Sequence, residues 1–171
     1  ITNNGNWNNG ANWSAGEPTN ADDATIHTGR TALITDPGEL ADSLTLGNAG
    51  GAGNVRQTGG DLTLGGLTPG DLVFGAAAVG SGGTYNLDGG TLTVSGSIIE
   101  MAPGVNGAQL HIDGGSLNVT GNITVQRFAV GNDTGQDGTY VIPGTQIVTS
   151  TGTTAIGSSA TGTLDVIAAG A

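Results

Sequence analysis

Apolar and polar residues alternate along the chain in short runs of three to five positions, which is the pattern of β-strands with one buried face. One run follows a glycine pair and recurs as Gly-Gly-x-Leu-x-Leu/Val. Its leading apolar residues stand 30, 25 and 30 positions apart, at Leu62, Leu92, Leu117 and, in a degraded copy, Ile147. A repeat of this length predicts that equivalent strands stack into a column.

Two further sets of alternating runs share this period of 24 to 31 residues. The runs of one set begin at Val55, Tyr85, Leu110, Tyr140 and Leu164. The other set comprises runs at Leu44, Leu72, Ile98, Ile123 and 154–156. Hairpins in a sandwich give no reason for such a repeat, whereas stacked coils do. The sequence therefore predicts an all-β fold, a parallel β-helix (β-solenoid) of about five coils with three short strands each, right-handed because parallel crossovers nearly always are.

The first segment departs from the repeat. Residues 1–24 carry Trp7, Trp13 and many asparagines. We therefore predict an N-terminal cap over residues 1–24 and a parallel β-helix domain over 25–171, with longer corner loops at 75–83 and 129–139. The two indoles allow two interpretations: they fill the open end of the core, or they stack on the sugar rings of a glycan.

Composition limits the partners. The chain has 14 acidic residues, three arginines, no lysine and no cysteine, and its formal net charge is -11. Nucleic-acid binding needs a basic surface, so no nucleic-acid partner is expected. No stretch of 18 apolar residues occurs, so no membrane insertion is expected either.

The N-terminal motifs resemble those of a known group of proteins. They read Asn6-Trp7, Asn12-Trp13, Gly16-Glu17-Pro18 and Asp22-Asp23-Ala24-Thr25-Ile26, and Gly-Gly-x-Leu-x-Val repeats follow. Over roughly residues 5–125 the chain resembles secreted bacterial β-solenoid repeat proteins, including autotransporter-passenger-like and sorting-signal-bearing surface proteins. The resemblance implies an extracellular or cell-surface location and a role as an adhesin, a matrix component or a filament part.

Catalytic side chains do not form a familiar motif. His111 alternates with Leu110 and Ile112, which predicts that it faces solvent, and Arg56 and Arg127 are expected on different ladders. Asp88 and Asp113 precede equivalent glycine pairs and are expected to cap the glycine turns by accepting backbone N–H bonds. We therefore predict that the protein is not an enzyme, and keep a polysaccharide-degrading enzyme as the weakest alternative.

One loop partly matches a calcium site. The run Asn132–Gly138 places oxygen-bearing side chains at alternate positions, with Asp133 and Asp137 as candidate Ca²⁺ ligands. The glutamate that would close an EF-hand loop is missing, because position 144 is glycine. An ordinary Asn/Asp/Gly corner loop is the other interpretation, and no further cofactor is expected.

Four asparagines match the acceptor pattern for N-linked glycosylation, Asn-x-Ser/Thr. They are Asn12, Asn118, Asn122 and Asn132. The pattern is common by chance, so glycosylation remains a minor hypothesis.

The last residues suggest how the protein functions. Leu164, Val166 and Ile167 belong to an apolar, glycine-containing segment without a polar cap. An open solenoid end exposes unpaired backbone groups, and two complementary ends would stack head to tail into fibres. We predict a structural subunit of an extracellular filament or matrix, with these residues, Trp7 and Trp13 as interface candidates. The alternative is a carbohydrate-binding or adhesin module whose partners are glycans.

Overall fold

The computed structural model describes residues 4–48, 51–66, 68–75, 82–101, 107–132, 137–158 and 160–166. These ranges contain β-strands, one 3-10 turn at Gly10–Asn12 and no α-helix, so they include no helix that could cross a membrane. The strands are β1 (Gly5–Asn6), β2 (Asp23–Ile26), β3 (Arg30–Ile34), β4 (Glu39–Ala41), β5 (Ser43–Leu46), β6 (Gly53–Leu64), β7 (Leu72–Phe74), β8 (Gly83–Val94), β9 (Ile98–Glu100), β10 (Gln109–Ile112), β11 (Ser116–Val119), β12 (Ile123–Val130), β13 (Gly138–Ile142), β14 (Val148–Ile156) and β15 (Gly162–Val166).

Every named strand pair is parallel. Thirteen strands form one large curled sheet, and β13 and β15 form a separate pair. The pairings follow three ladders. The first ladder contains β2, β5, β7, β9 and the first halves of β12 and β14. The second ladder contains β1, β3, the first halves of β6 and β8, β10, and the second halves of β12 and β14. The third ladder contains β4, the second halves of β6 and β8, and β11. The predicted all-β class and the parallel stacking of equivalent strands are therefore confirmed.

The sequence columns coincide with the buried side of the ladders. Leu62, Leu92 and Leu117 occupy successive positions of the third ladder, and Tyr85 pairs with both Val55 and Leu110 in the second. All six side chains are buried. The alternation of apolar residues therefore identified the face of each strand that builds the core.

In the second predicted column the step from Leu110 to Tyr140 is wrong, whereas the step from Tyr140 to Leu164 is confirmed. The strand that pairs with β10 is the second half of β12, and Phe128 takes the position expected for Tyr140. Tyr140 pairs instead with Leu164 in the separate sheet and touches Phe128 edge to face, with ring centroids 5.7 Å apart. The reason is that the chain runs through Ile123–Val130 without a glycine corner, so strands of two ladders follow each other directly and the loop predicted at 129–139 begins only after Val130.

The last members of the other two columns are also wrong. Ile147 does not stack on Leu117, and its side chain is 60% exposed. Residues 154–156 extend the second ladder, whereas Val148 follows Ile123 in the first. Both errors have the same cause: β12 and β14 each run directly from the first ladder into the second, so the loops no longer fall at the positions that the repeat predicts.

The glycine pairs are explained by the corners between the second and third ladders. Gly60 and Gly90 have φ angles of 61° and 73°, a region that other residues rarely adopt. The corners also lie very close together: a Cβ atom on Gly90 would be 1.9 Å from the carbonyl oxygen of Gly60. Glycine is thus required both by the turn and by the stacking.

Both tyrosines are anchored by a glutamine inside the core. The Tyr85 hydroxyl donates to Gln57 Oε1 at 2.6 Å, and Gln57 Nε2 donates to the carbonyl oxygens of Gly60 and Thr91. The Tyr140 hydroxyl donates to Gln146 Oε1 in the same way. Burial raises the pKa of both tyrosines, that of Tyr140 to about 12, so both remain hydrogen-bond donors.

Candidate functional site: the two ends of the sheet

The N-terminal end of the core is covered by the two tryptophans. Trp7 is fully buried and Trp13 is 9% exposed; their rings meet edge to face with centroids 4.8 Å apart. Trp13 Nε1 donates to the Trp7 carbonyl oxygen at 2.7 Å, and the Trp7 amide continues the pairing of β1 by donating to Leu33 at 2.8 Å. This is the packing expected if the indoles fill the end of the core, and it leaves no Trp7 surface for a sugar ring.

A cleft of about 390 Å³ lies between residues 13–18 and strand β2. Trp13, His27 and the carboxylates of Glu17, Asp22 and Asp23 contribute to its lining. Hydrogen bonds from the hydroxyl and amide of Thr19 hold the pKa of Asp22 below its ordinary value. The cleft is therefore acidic and offers many hydrogen-bond acceptors beside one indole.

A pair of glutamates connects the first segment to strand β4. Glu39 is only 4% exposed and forms a side-chain hydrogen bond with Glu17. Burial, this hydrogen bond and the negative charges of Glu17 and Asp36 together raise the pKa of Glu39 to about 7. The contact is therefore strongest when one of the two carboxyl groups carries a proton.

The C-terminal end of the sheet is open. Strand β14 pairs with β12 on one side, and among the described residues no strand pairs with its other side; the same holds for the outer side of β15. Most side chains of β14 are exposed, including Ile156 at 40%, whereas the equivalent positions of β12 are mostly buried. The side of β14 that faces away from β12 thus forms an edge of backbone donors and acceptors with no strand partner among the described residues.

Charge is distributed unevenly between the two ends. Six of the 14 acidic residues fall between Glu17 and Asp42, whereas the 27 residues from Gly138 to Leu164 carry no charged side chain. The N-terminal end is therefore strongly negative, and the open edge of β14 is neutral.

The C-terminal interface candidates lie beside this edge. Leu164 is partly buried against the core, and Val166 pairs through its backbone with Ile142. Ile167 lies outside the described residues.

The calcium prediction remains without structural support. Asp137 is exposed, and its Oδ1 accepts a hydrogen bond from the Thr161 amide at 2.9 Å, while Asp133 lies outside the described residues. In the part of the chain that the structure describes, no three carboxylate or imidazole groups come together as metal ligands.

The four candidate glycosylation sites differ in accessibility. Asn12 is buried, and its Nδ2 atom, the one that would carry the sugar, donates to the Asn6 carbonyl oxygen at 2.9 Å. Asn118 and Asn122 are exposed. Asn132 is half-buried and accepts a hydrogen bond from Arg127 at 2.6 Å.

Two expectations about the histidine and the arginines of the second ladder are wrong. His111 is buried, with 8% exposure, rather than facing solvent. Arg56 and Arg127 lie on the same ladder, because β6, β8, β10 and β12 pair in that order. Their three-strand separation follows from the correction at β12.

Of the two aspartates before the glycine pairs, Asp88 differs from expectation, and Asp113 does accept a backbone N–H bond. Asp88 accepts a hydrogen bond from Arg56 Nε at 2.7 Å instead of capping its own turn. Asp113 is fully buried and accepts from the backbone amide of Asn132, a residue of the neighbouring corner. Both carboxylates therefore stabilise contacts between adjacent strands.

Comparisons with protein-family models, with curated proteins and with solved structures find no match to this chain.

Proposed function

We propose that this protein is a structural subunit of an extracellular filament or matrix, and that it associates through the open edge of β14 and β15. The observation that carries the proposal is the character of β14, a nine-residue edge without a charge or a proline. Soluble β-proteins normally protect such edges with charged residues, prolines, bulges or a covering segment. Of these, β14 has only one irregularity, a register shift between Ser150 and Thr153 in its pairing with β12. An edge left bare in a chain of net charge -11 is suited to binding another strand.

The finer architecture belongs to the same proposal. We propose that the three ladders are the faces of a right-handed parallel β-helix, because the chain visits the first, second and third ladder in a repeated order. The first ladder contains six strands, one more than the about five coils expected from the repeat. Strands about 4.8 Å apart would make this a rigid rod, which suits a structural role.

Placing a negative charge on the edge tests this function. Thr154→Asp introduces like charges wherever two edges meet, and Thr139→Asp makes the same exchange at an exposed position of β13, away from the edge. The unmodified chain and T139D should self-associate as the protein concentration rises, as measured by light scattering and negative-stain images, and T154D should not. A chain that stays monomeric at its highest soluble concentration contradicts the proposal.

A second candidate function is the binding of glycans in the acidic cleft. It is favoured by the roughly 390 Å³ volume and by the combination of the Trp13 indole with the carboxylates of Glu17 and Asp23, which can accept hydrogen bonds from sugar hydroxyls. Titration with a panel of neutral oligosaccharides should give saturable binding that Asp23→Asn weakens and Asp61→Asn, at an exposed position elsewhere, does not. Equal affinity of both variants rejects this site.

A further inference from the structure

We propose that the partner of the open edge is the same edge of a second copy, so that two β14 strands pair antiparallel and the protein forms a closed, tail-to-tail dimer. This inference rests on the proposed function and specifies its first contact, so that the unit that enters the filament or matrix is the dimer rather than the single chain. It replaces the head-to-tail stacking predicted from sequence with a contact related by a twofold axis, in which the same surface of both copies must be self-complementary.

The backbone of β14 presents its free groups symmetrically. The Ile147 carbonyl accepts from Ile123 at 2.9 Å, and the Gly157 amide donates to Val130 at 2.8 Å, so both ends of the strand direct odd-numbered residues towards β12. Backbone groups alternate in direction along a strand. The pairing with β12 shifts register between Ser150 and Thr153, where β14 passes from the first ladder to the second. On either side of this shift, the groups left for a partner belong to residues 148, 150, 154 and 156, at equal sequence distances from Gly152.

The side chains follow the same symmetry. The sequence of β14 reads Val-Thr-Ser-Thr-Gly-Thr-Thr-Ala-Ile, with Gly152 at its centre. In an antiparallel pair centred on this glycine, Val148 faces the partner's Ile156 and Ser150 faces the partner's Thr154. A β-branched apolar residue thus meets another, and a hydroxyl meets a hydroxyl, which are favourable cross-strand pairs.

These positions also continue the core. Val148 and Ser150 pair with the buried Ile123 and Val125, and Thr154 and Ile156 follow Phe128 and Val130 on the same side of the sheet. Each therefore lies at the exposed end of an interior column. Pairing with a second copy would remove Val148 and Ile156 from water, which stabilises the dimer by the hydrophobic effect.

Charge and coverage disfavour the head-to-tail alternative. The N-terminal end is acidic between Glu17 and Asp42, and Trp7 and β1 already cover the second ladder there. Two neutral β14 edges approach each other without bringing acidic clusters into contact. At the N-terminal end the other two ladders end in β2 and β4, whose outer sides have no strand partner among the described residues but which are only four and three residues long, against nine in β14.

Engineered disulfides distinguish the two arrangements, since the native chain has no cysteine. Ser150→Cys and Thr154→Cys chains are prepared separately, checked for a native circular-dichroism spectrum, and oxidised alone and as an equimolar mixture. Directly opposed residues in an antiparallel pair have Cα atoms about 5.5 Å apart, which a disulfide can bridge. The mixture should give a cross-linked dimer containing one chain of each kind, and either chain alone should give markedly less.

Sedimentation velocity of the unmodified chain gives a second, independent readout. A monomer–dimer equilibrium that stops at two copies supports the inference, and T154D should abolish it while T139D retains it. Polymers that lengthen with concentration, without cross-links in the mixture, overturn the tail-to-tail dimer and leave the proposed function standing. A monomer at all concentrations overturns both.

Discussion

The two ends of the sheet differ in how the last strands and the core beneath them are covered. At the N-terminal end, Trp7 and Trp13 lie over the core, and the short strand β1 adds a further pair of residues beside β3. At the C-terminal end, β14 leaves its outer backbone groups unpaired among the described residues, and the interior columns finish in Val148, Ser150, Thr154 and Ile156. A covered end favours independent stability, and an open, uncharged end favours association.

The two Tyr–Gln pairs also differ in burial between the inside of the core and its open end. Gln57 is completely buried, and both the oxygen and the nitrogen of its side-chain amide are hydrogen-bonded. Gln146 makes equivalent bonds to Tyr140 and to the carbonyl oxygens of Val119 and Gly121, but it is only half-buried. One arrangement thus occurs deep in the core and again near the open end, where water reaches it.

The largest difference between the ends should appear when an apolar side chain is removed from each. Trp7→Ala leaves a large cavity and should lower the free energy of unfolding by ~4 kcal/mol, measured by urea denaturation. Ile147→Ala removes a side chain that is 60% exposed and should cost less than ~0.5 kcal/mol. Similar losses for the two variants would show that the ends are not packed differently.

The glutamines should show a smaller difference in the same direction. Gln57→Leu leaves the buried Tyr85 hydroxyl and two half-buried carbonyl oxygens without their side-chain partner, and should cost ~3 kcal/mol in the free energy of unfolding. Gln146→Leu should cost ~1 kcal/mol, because water can replace the lost bonds. Chemical denaturation of both variants measures this difference. A larger loss of stability for Gln146→Leu would contradict the deeper burial of Gln57.

The carboxyl pair at the covered end should make its stability depend on pH. The pKa of Glu39 is raised from 4.5 to about 7 in the folded chain, so its contribution is complete below pH 4.5 and is lost as the pH rises through 7. A shift of this size corresponds to at most ~3 kcal/mol. Glu39→Gln should flatten the decline in stability over this interval, and Asp61→Asn should retain it; an unchanged decline in E39Q would exclude Glu39 as its source.

The smallest effect is expected at the edge itself when the chain is monomeric. Thr154→Asp and Thr139→Asp alter exposed side chains, so each should change the free energy of unfolding by no more than ~0.5 kcal/mol in dilute solution. Thermal denaturation at low protein concentration checks this. A large loss in T154D alone would mean that Thr154 stabilises the monomer, and the variant would then no longer report on association.

Periodicity predicted the parallel ladders, because an interior column needs similar residues at each step. Leu62, Leu92 and Leu117 are a direct example. It failed where a loop changed position: Tyr140 looks like Tyr85 in sequence, but the glycine-free run Ile123–Val130 had already supplied the next strand of the ladder. The absence of glycine in that run was the available signal.

The features of the candidate sites were predictable to different degrees. The uncharged stretch from Gly138 to Leu164 is visible in the sequence, and so is the symmetry of residues 148–156 about Gly152. The contact between Glu17 and Glu39 is not, since it joins residues 22 positions apart through a segment that has no repeat. Burial of His111 was missed because strand alternation indicates which face a side chain lies on, but not what covers that face.

Amide hydrogen exchange at low and high protein concentration tests the contrast between the ends most directly. At low concentration, the amides of Ser150, Thr154 and Ile156, which have no strand partner in the described part of the chain, should exchange rapidly, whereas that of Trp7, bonded to Leu33, should be protected. At high concentration the three β14 amides should become protected and the N-terminal segment should not change. Protection that increases at the N-terminal end, or that is independent of concentration at both ends, would contradict the account.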